Sequence, residues 1–295
     1  MLALLEKGYA IAESGSRGGV AVNEAVKDTD ALRRHFGRKH SRPKAIFAVG
    51  ESMGGLVALR LVERFPSNYT AGLSYCGMLS SPSDYVRRVF DLLALFAFFH
   101  PGVLPNPDQV PTGFRPTEEL MKNVARALET NPKAAEILFR ESGANGIEDL
   151  APALVFHTDL LRDVGQRCGG NVIDNRGTLY VSGEGTERVN KGLRRVSAAP
   201  NTTACLGDMS RPMGLLSRPF LAVDSTYDPI VPAWFANSYR QSIAGTAAEA
   251  WFVRQYASAS GHCSVPLQTR LAAFQDLVKW SSEDGARPAP GLRDE

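Results

Sequence analysis

The chain has 295 residues, 44% hydrophobic and 22% charged, with a formal net charge of +2. This balance excludes a disordered chain and gives no electrostatic ground for nucleic-acid binding. The most apolar run, "LLALFAFF" at Leu92–Phe99, is too short to span a bilayer.

The chain opens with "MLALLEKG", which reads as a helix ending at Gly8. Glu6 and Lys7 arrive too early for a secretory h-region. The default location is cytoplasmic, with secretion left open if the N-terminus is truncated. "YAIAES", Tyr9 to Ser14, reads as a short buried strand, and "SGSRGG" as a loop. Val22, Val26, Leu32 and Phe36 fall near helical spacing and predict a helix ending around Gly37. "KAIFAVG" predicts a strand, "GGLVALRLVERFP" a helix stopped at Pro66, and "AGLSYCG" a further strand. Strands that are apolar throughout, alternating with helices, imply a parallel sheet covered on both faces.

From about Ser80 the pattern changes. Residues 83–99 predict a helix apolar nearly all round, either core or the lining of a pocket. A Pro-rich link, "PGVLPNPDQVPTG", suits a mobile lid. Helices are expected near 116–130, 132–142 and 148–166, then a strand-like "TLYVSG" and a helix near 184–197. The domain reading is a core of 1–80 and 206–295 interrupted by a helical insertion, 81–205. In the resumed core "RPFLAVDS" predicts a strand, "VPAWFANSYRQSI" a helix, "EAWFVRQYA" a strand and "QTRLAAFQDLVKW" a helix. The tail from Ser281 reads as loose.

Gly50-Glu51-Ser52-Met53-Gly54 fits G-x-S-x-G between an apolar strand and an amphipathic helix. Such an elbow forces the serine into a strained conformation, and its neighbours must be small because strand and helix approach closely. It exposes Ser52 Oγ and points the Met53 N–H at a developing oxyanion. A serine hydroxyl needs a base. Of five histidines, His35 and His40 lie on or after a polar helix, His100 ends the apolar helix, and His157 lies within the insertion. Only His262 follows a late core strand, on the side of the sheet expected for Ser52. Asp228, stiffened by Pro229, is the carboxylate that would orient it. Asp224 is the alternative, or a support for the loop.

The four cysteines, Cys76, Cys168, Cys205 and Cys263, show no C-x-x-C pair and no zinc-type spacing. No metal is expected. The sequons at Asn68 and Asn201 read as chance matches.

The pieces "GYAIAESGSRG", "AVGESMGGLVALRLVERFP", "YCG", "DPIVP" and "GHC" make the chain resemble the α/β-hydrolase superfamily, in the order Ser52, Asp228, His262. The nearest likeness is to actinobacterial-type esterase or peptidase-like hydrolases with an inserted helical cap. The resemblance implies a mostly parallel sheet flanked by helices with a mainly helical cap. It also implies Ser52 as nucleophile, His262 as base, Asp228 as acid and an acyl-enzyme on a small-molecule ester, without cofactor. A carboxylesterase is the expected activity. The alternatives are a prolyl-oligopeptidase-like peptidase and a truncated, catalytically weak binding protein.

Two departures from that family stand out. Tannases and fungal-type feruloyl esterases pair a Cys before the Ser with a Cys after the His, and Glu51 occupies the first place here. Cys76 could replace it as partner of Cys263; two buried free thiols are the other reading. The family's first strands and oxyanion loop, source of a second N–H donor, have no counterpart before Met1. A truncated gene model, a second chain, or a site rearranged around "SGSRGG" would each account for that.

Overall fold

The structure, a computed structural model, describes the chain apart from residues 1, 16–19, 182, 203, 206–210 and 294–295. The reading of "SGSRGG" as a loop and a possible oxyanion element therefore falls largely outside the described residues. The chain divides into two compact units. One comprises Met1–Leu79, Pro212–Thr226 and Ala236–Glu295; the other comprises Ser80–Arg211 and Tyr227–Phe235.

The first unit is built on β1 (Phe47–Glu51), β2 (Ala71–Tyr75), β3 (Phe220–Tyr227), β4 (Phe252–Ser260) and β5 (Gly291–Leu292), adjacent in that order. β1 with β2, β2 with β3, and β4 with β5 pair in parallel. The fold is α/β, as expected. Parallel neighbours need crossover connections, and the helices α1 (Leu2–Leu5), α2 (Val22–Lys39), α3 (Met53–Arg64), α9 (Ala233–Ile243) and α10 (Leu267–Trp280) intervene between the strands or flank them. α3 packs on β1 and β2, α2 on α3, and α10 on β2. Every β2 residue is buried, which is why its run is apolar or small throughout. Leu73, Leu221, Val223, Val253, Phe274 and Leu277 form the core beside it.

Two expectations fail in this unit. Tyr9–Ser14 forms no strand and is largely exposed. Its two ends are anchored by side chains, Tyr9 edge-on to Phe274 at 5.1 Å and Ser14 Oγ 2.8 Å from Thr29 Oγ1. A short apolar run cannot itself supply the neighbouring strand that a ladder requires. The tail is not loose either. β5 lies within it, Gln255 Nε2 donates to the Ala289 carbonyl at 2.7 Å, and Arg293 pairs with Asp276 at 2.7 Å.

The second unit holds α4 (Pro82–Phe99), α5 (Glu118–Thr130), α6 (Pro132–Ser142), α7 (Ile147–Cys168) and α8 (Thr186–Gly192). Thr117 and Asn131 cap α5 and α6 by accepting from Leu120 N and Ala134 N. Gly143 and Gly169 end α6 and α7 in the left-handed conformation. A disulfide joins Cys168 to Cys205. The strand expected at "TLYVSG" is absent among the described residues. Side chains take the partners that a ladder would use: Asn190 pairs with both backbone groups of Tyr180, and Arg195 Nη1 donates to the Thr178 carbonyl at 2.7 Å. α8 is shorter than expected, ending at Gly192. Tyr227–Phe235 packs here too, with Tyr227 Oη 2.6 Å from Asp149 and the Phe235 ring against Tyr85.

Candidate active site

The chain turns from β1 into α3 through Ser52, which lies at φ 52°, ψ −121°. A non-glycine residue there costs about 1–3 kcal/mol and persists only when its surroundings hold it. Ser52 N donates to the Tyr75 carbonyl at 3.0 Å, and the Ser52 carbonyl accepts from Gly55 N and Met78 N at 3.0 and 3.1 Å. The expected crowding is real but falls on particular glycines. A Cβ at Gly50 would stand 2.0 Å from the Gly54 carbonyl oxygen, and one at Gly55 would stand 2.8 Å from Gly77 Cα. At Gly54 nothing lies within 4 Å, so its smallness is not a steric demand.

β4 ends at Ser260, and Gly261, at φ 108°, turns the chain into His262. His262 Nε2 lies 2.9 Å from Ser52 Oγ, so the two sequence-nominated groups meet within hydrogen-bond distance. Met53 is the first residue of α3, where the helix N-terminus favours negative charge. Cys263, the residue after His262, forms a disulfide with Cys76. Of the two readings left open for these cysteines, the bridge holds. Ser52, Cys76 and Cys263 are three of the four non-glycine residues at positive φ among those described. Backbone strain thus gathers at this site, as it does where geometry matters for function.

Asp228 belongs to the second unit. It is buried, and its Oδ1 accepts from Ile230 N at 2.9 Å and Val231 N at 2.8 Å. These two bonds fix the turn that Pro229 begins. Asp224 is engaged in a buried ion pair with Arg254 of β4, whose Nε lies 2.8 Å from its Oδ2. The four other histidines stand apart from Ser52 in character. His35 and His40 are exposed on and after α2, and His100 is buried beside Phe96 with its imidazole pushed down by burial. His157 meets the Tyr85 hydroxyl at 3.2 Å.

Cys76, His262 and Cys263 bring their ligand-type atoms within 4.8 Å of one another, the sole such cluster of three among the described residues. Its sulfurs are joined to each other, and a metal takes thiolates rather than a disulfide. The second unit carries clefts of about 200 and 320 Å³, which share Phe90, Pro107 and Asp108. Sequence reasoning missed Arg270, whose contacts with Glu51, Cys263 and Val265 join the elbow to the His262 loop. An arginine in an amphipathic helix carries no local signal of such a role.

The α/β sheet, the strained serine between strand and helix, and the histidine set against it resemble the arrangement of α/β-hydrolases. Residues 7–136, under half of the chain, match the Hydrolase_4 model, described as serine aminopeptidase, S33. Over those residues the chain is similar to the α/β-hydrolase superfamily. Solved structures similar to it include a monoacylglycerol lipase of Paleococcus ferrophilus at 14% identity. That alignment covers 90% of this chain and 77% of the other, with a TM-score of 0.37. A thermophilic esterase from Thermogutta terrifontis aligns at 19% identity over 92% and 78%, with a TM-score of 0.38. Candida antarctica lipase A aligns at 12% identity over 92% and 56%, with a TM-score of 0.45. No curated protein matches the sequence.

Proposed function

We propose that this chain is a serine hydrolase whose reaction is the cleavage of carboxylic esters through an acyl-enzyme. One observation carries the reading: Ser52 Oγ stands 2.9 Å from His262 Nε2 at a strained strand-to-helix turn. His262 Nε2 takes the Ser52 proton as Oγ attacks the ester carbonyl. The Met53 N–H donates to the oxyanion that forms, helped by the α3 N-terminus. His262 then hands its proton to the leaving alcohol, and a water activated by the same imidazole releases the acid. Asp228 is the proposed acid that sets the His262 tautomer, supported by chain order, burial and the turn that fixes its carboxylate. The helical insertion, read as a cap, is the proposed source of acyl and alcohol preference.

Short p-nitrophenyl esters test this directly. Ser52→Ala is expected to lower kcat by about 10⁴-fold or more, and Asp228→Asn by about 10²–10⁴-fold. Unchanged hydrolysis in Ser52→Ala rejects the nucleophile assignment. A second reading, peptide-amide cleavage, draws support from the serine aminopeptidase description of the matching model. Turnover of aminoacyl p-nitroanilides with little ester hydrolysis decides for it.

A further inference from the structure

The residues next to the serine and the histidine carry a second network. Glu51, immediately before Ser52, meets the Arg270 guanidinium through Oε1. Arg270 Nη2 donates to the Cys263 carbonyl at 2.7 Å, and its Nε donates to the Val265 carbonyl at 2.8 Å. The guanidinium also lies over the Tyr75 ring, 5.1 Å from its centroid, while Tyr75 Oη donates to the Arg270 carbonyl at 2.6 Å. One side chain therefore joins the residue before the serine, the ring at the end of β2, and two carbonyls of the loop after His262.

Stability alone does not explain this arrangement. Glu51 is half exposed, and an ion pair in that setting contributes little. What the network does is geometric. The disulfide holds the Cys263 side chain to Cys76, and Arg270 holds the Cys263 carbonyl. With both ends of Cys263 held at φ 55°, the peptide that follows His262 is fixed in orientation. Only a planar fork of donors serves a carboxylate and two differently placed carbonyls together; a lysine ammonium lacks that fork.

We propose that Arg270 is a positioning residue for His262, acting with Glu51 and the Cys76–Cys263 bridge to hold the imidazole against Ser52. This rests on the serine-hydrolase reading. Displacing a reacting group by about 1 Å costs on the order of 10²-fold in rate. Arg270→Met is therefore expected to lower kcat by about 10–100-fold with KM within about 2-fold of the wild type. Arg270→Lys keeps the charge near Glu51 and recovers part of that loss. Glu51→Gln leaves both carbonyl contacts and costs about 2–5-fold, since the pair it breaks is half exposed.

The measurement is steady-state ester hydrolysis by the full chain, with active enzyme counted by fluorophosphonate titration. Rates per labelled serine separate misplacement of His262 from partial unfolding. Arg270→Met with unchanged kcat overturns the proposal. Should that variant not fold, Arg270→Lys and Glu51→Gln both turning over at the wild-type rate overturn it instead. If wild-type enzyme neither labels at Ser52 nor cleaves ester, the serine-hydrolase reading falls, and NMR of the His262 imidazole decides the positioning role separately. Ring resonances that move in Glu51→Gln support it, and an unchanged spectrum sinks it.

Discussion

Gly50 and Gly55 bear the steric demand of the elbow, each facing backbone atoms that cannot move aside cheaply. This separates two glycines that look alike in the motif. Gly55→Ala would drive a methyl against Gly77 Cα and Ser74 Oγ, forcing α3 away from β2. Overpacking of this kind costs about 1–3 kcal/mol, and here it would also move Ser52. Gly54→Ala meets nothing within 4 Å in a helix and is expected to be neutral or stabilising by about 0.5–1 kcal/mol. Urea unfolding of the two variants checks the contrast. Equal losses would show that the crowding has been misplaced. The motif alone cannot make this distinction, because G-x-S-x-G states residue types and not which of them faces a neighbouring backbone.

At the scale of elements, the C-terminal turn of α3 organises the chain's return into the sheet. Glu63 is buried, and its carboxylate accepts from Met213 N, Gly214 N and Leu215 N, from the Tyr239 hydroxyl at 2.9 Å, and from Arg60 at 3.2 Å. Burial, reinforced by the neighbouring Glu63 carboxylate, pushes the Tyr239 hydroxyl far up, so it stays a donor. This one group terminates the approach to β3 and ties α9 to α3. Glu63→Ala would strand those donors, at a cost of about 3 kcal/mol or more in urea unfolding. Tyr239→Phe removes a single donor and should cost about 1 kcal/mol. A Glu63→Ala variant within 1 kcal/mol of the wild type would contradict the anchoring role. In the sequence Glu63 sits in "LVERF" with nothing local to mark this role; the return of residues 213–215 and the Tyr239 hydroxyl give it its distant partners.

For the whole molecule, the disulfides act at different ranges. Cys168–Cys205 closes a stretch with a sequence separation of 37, inside the second unit. Cys76–Cys263 spans a separation of 187 inside the first, so all of Ser80–Arg211 lies within its covalent loop. Replacing Cys168 and Cys205 by serine should cost about 2–4 kcal/mol through the entropy of the unfolded chain. The loss should appear in the second unit. Amides of α7 would lose hydrogen-exchange protection while those of β1–β4 keep it. Uniform loss across both units would show that they open as one.

The sequence by itself determined the strand–helix alternation of the sheet unit, the helical character of the insertion, and the serine and histidine that meet at the elbow. These follow from hydrophobic period, from glycine placement around Ser52, and from chain order, all of which are local along the chain. Tertiary structure decided the rest. Tyr9–Ser14 and "TLYVSG" had strand-like composition, yet a strand exists only where another backbone lies alongside, and among the described residues neither forms a ladder. The tail read as loose until β4 offered it an edge. Whether Cys76 and Cys263 were bridged or free depended on two strand ends far apart in sequence coming within bonding distance. Arg270 and Glu63 were ordinary helix charges until the fold closed around them. Their roles are set by groups distant along the chain, and no local pattern encodes which distant group a side chain will meet.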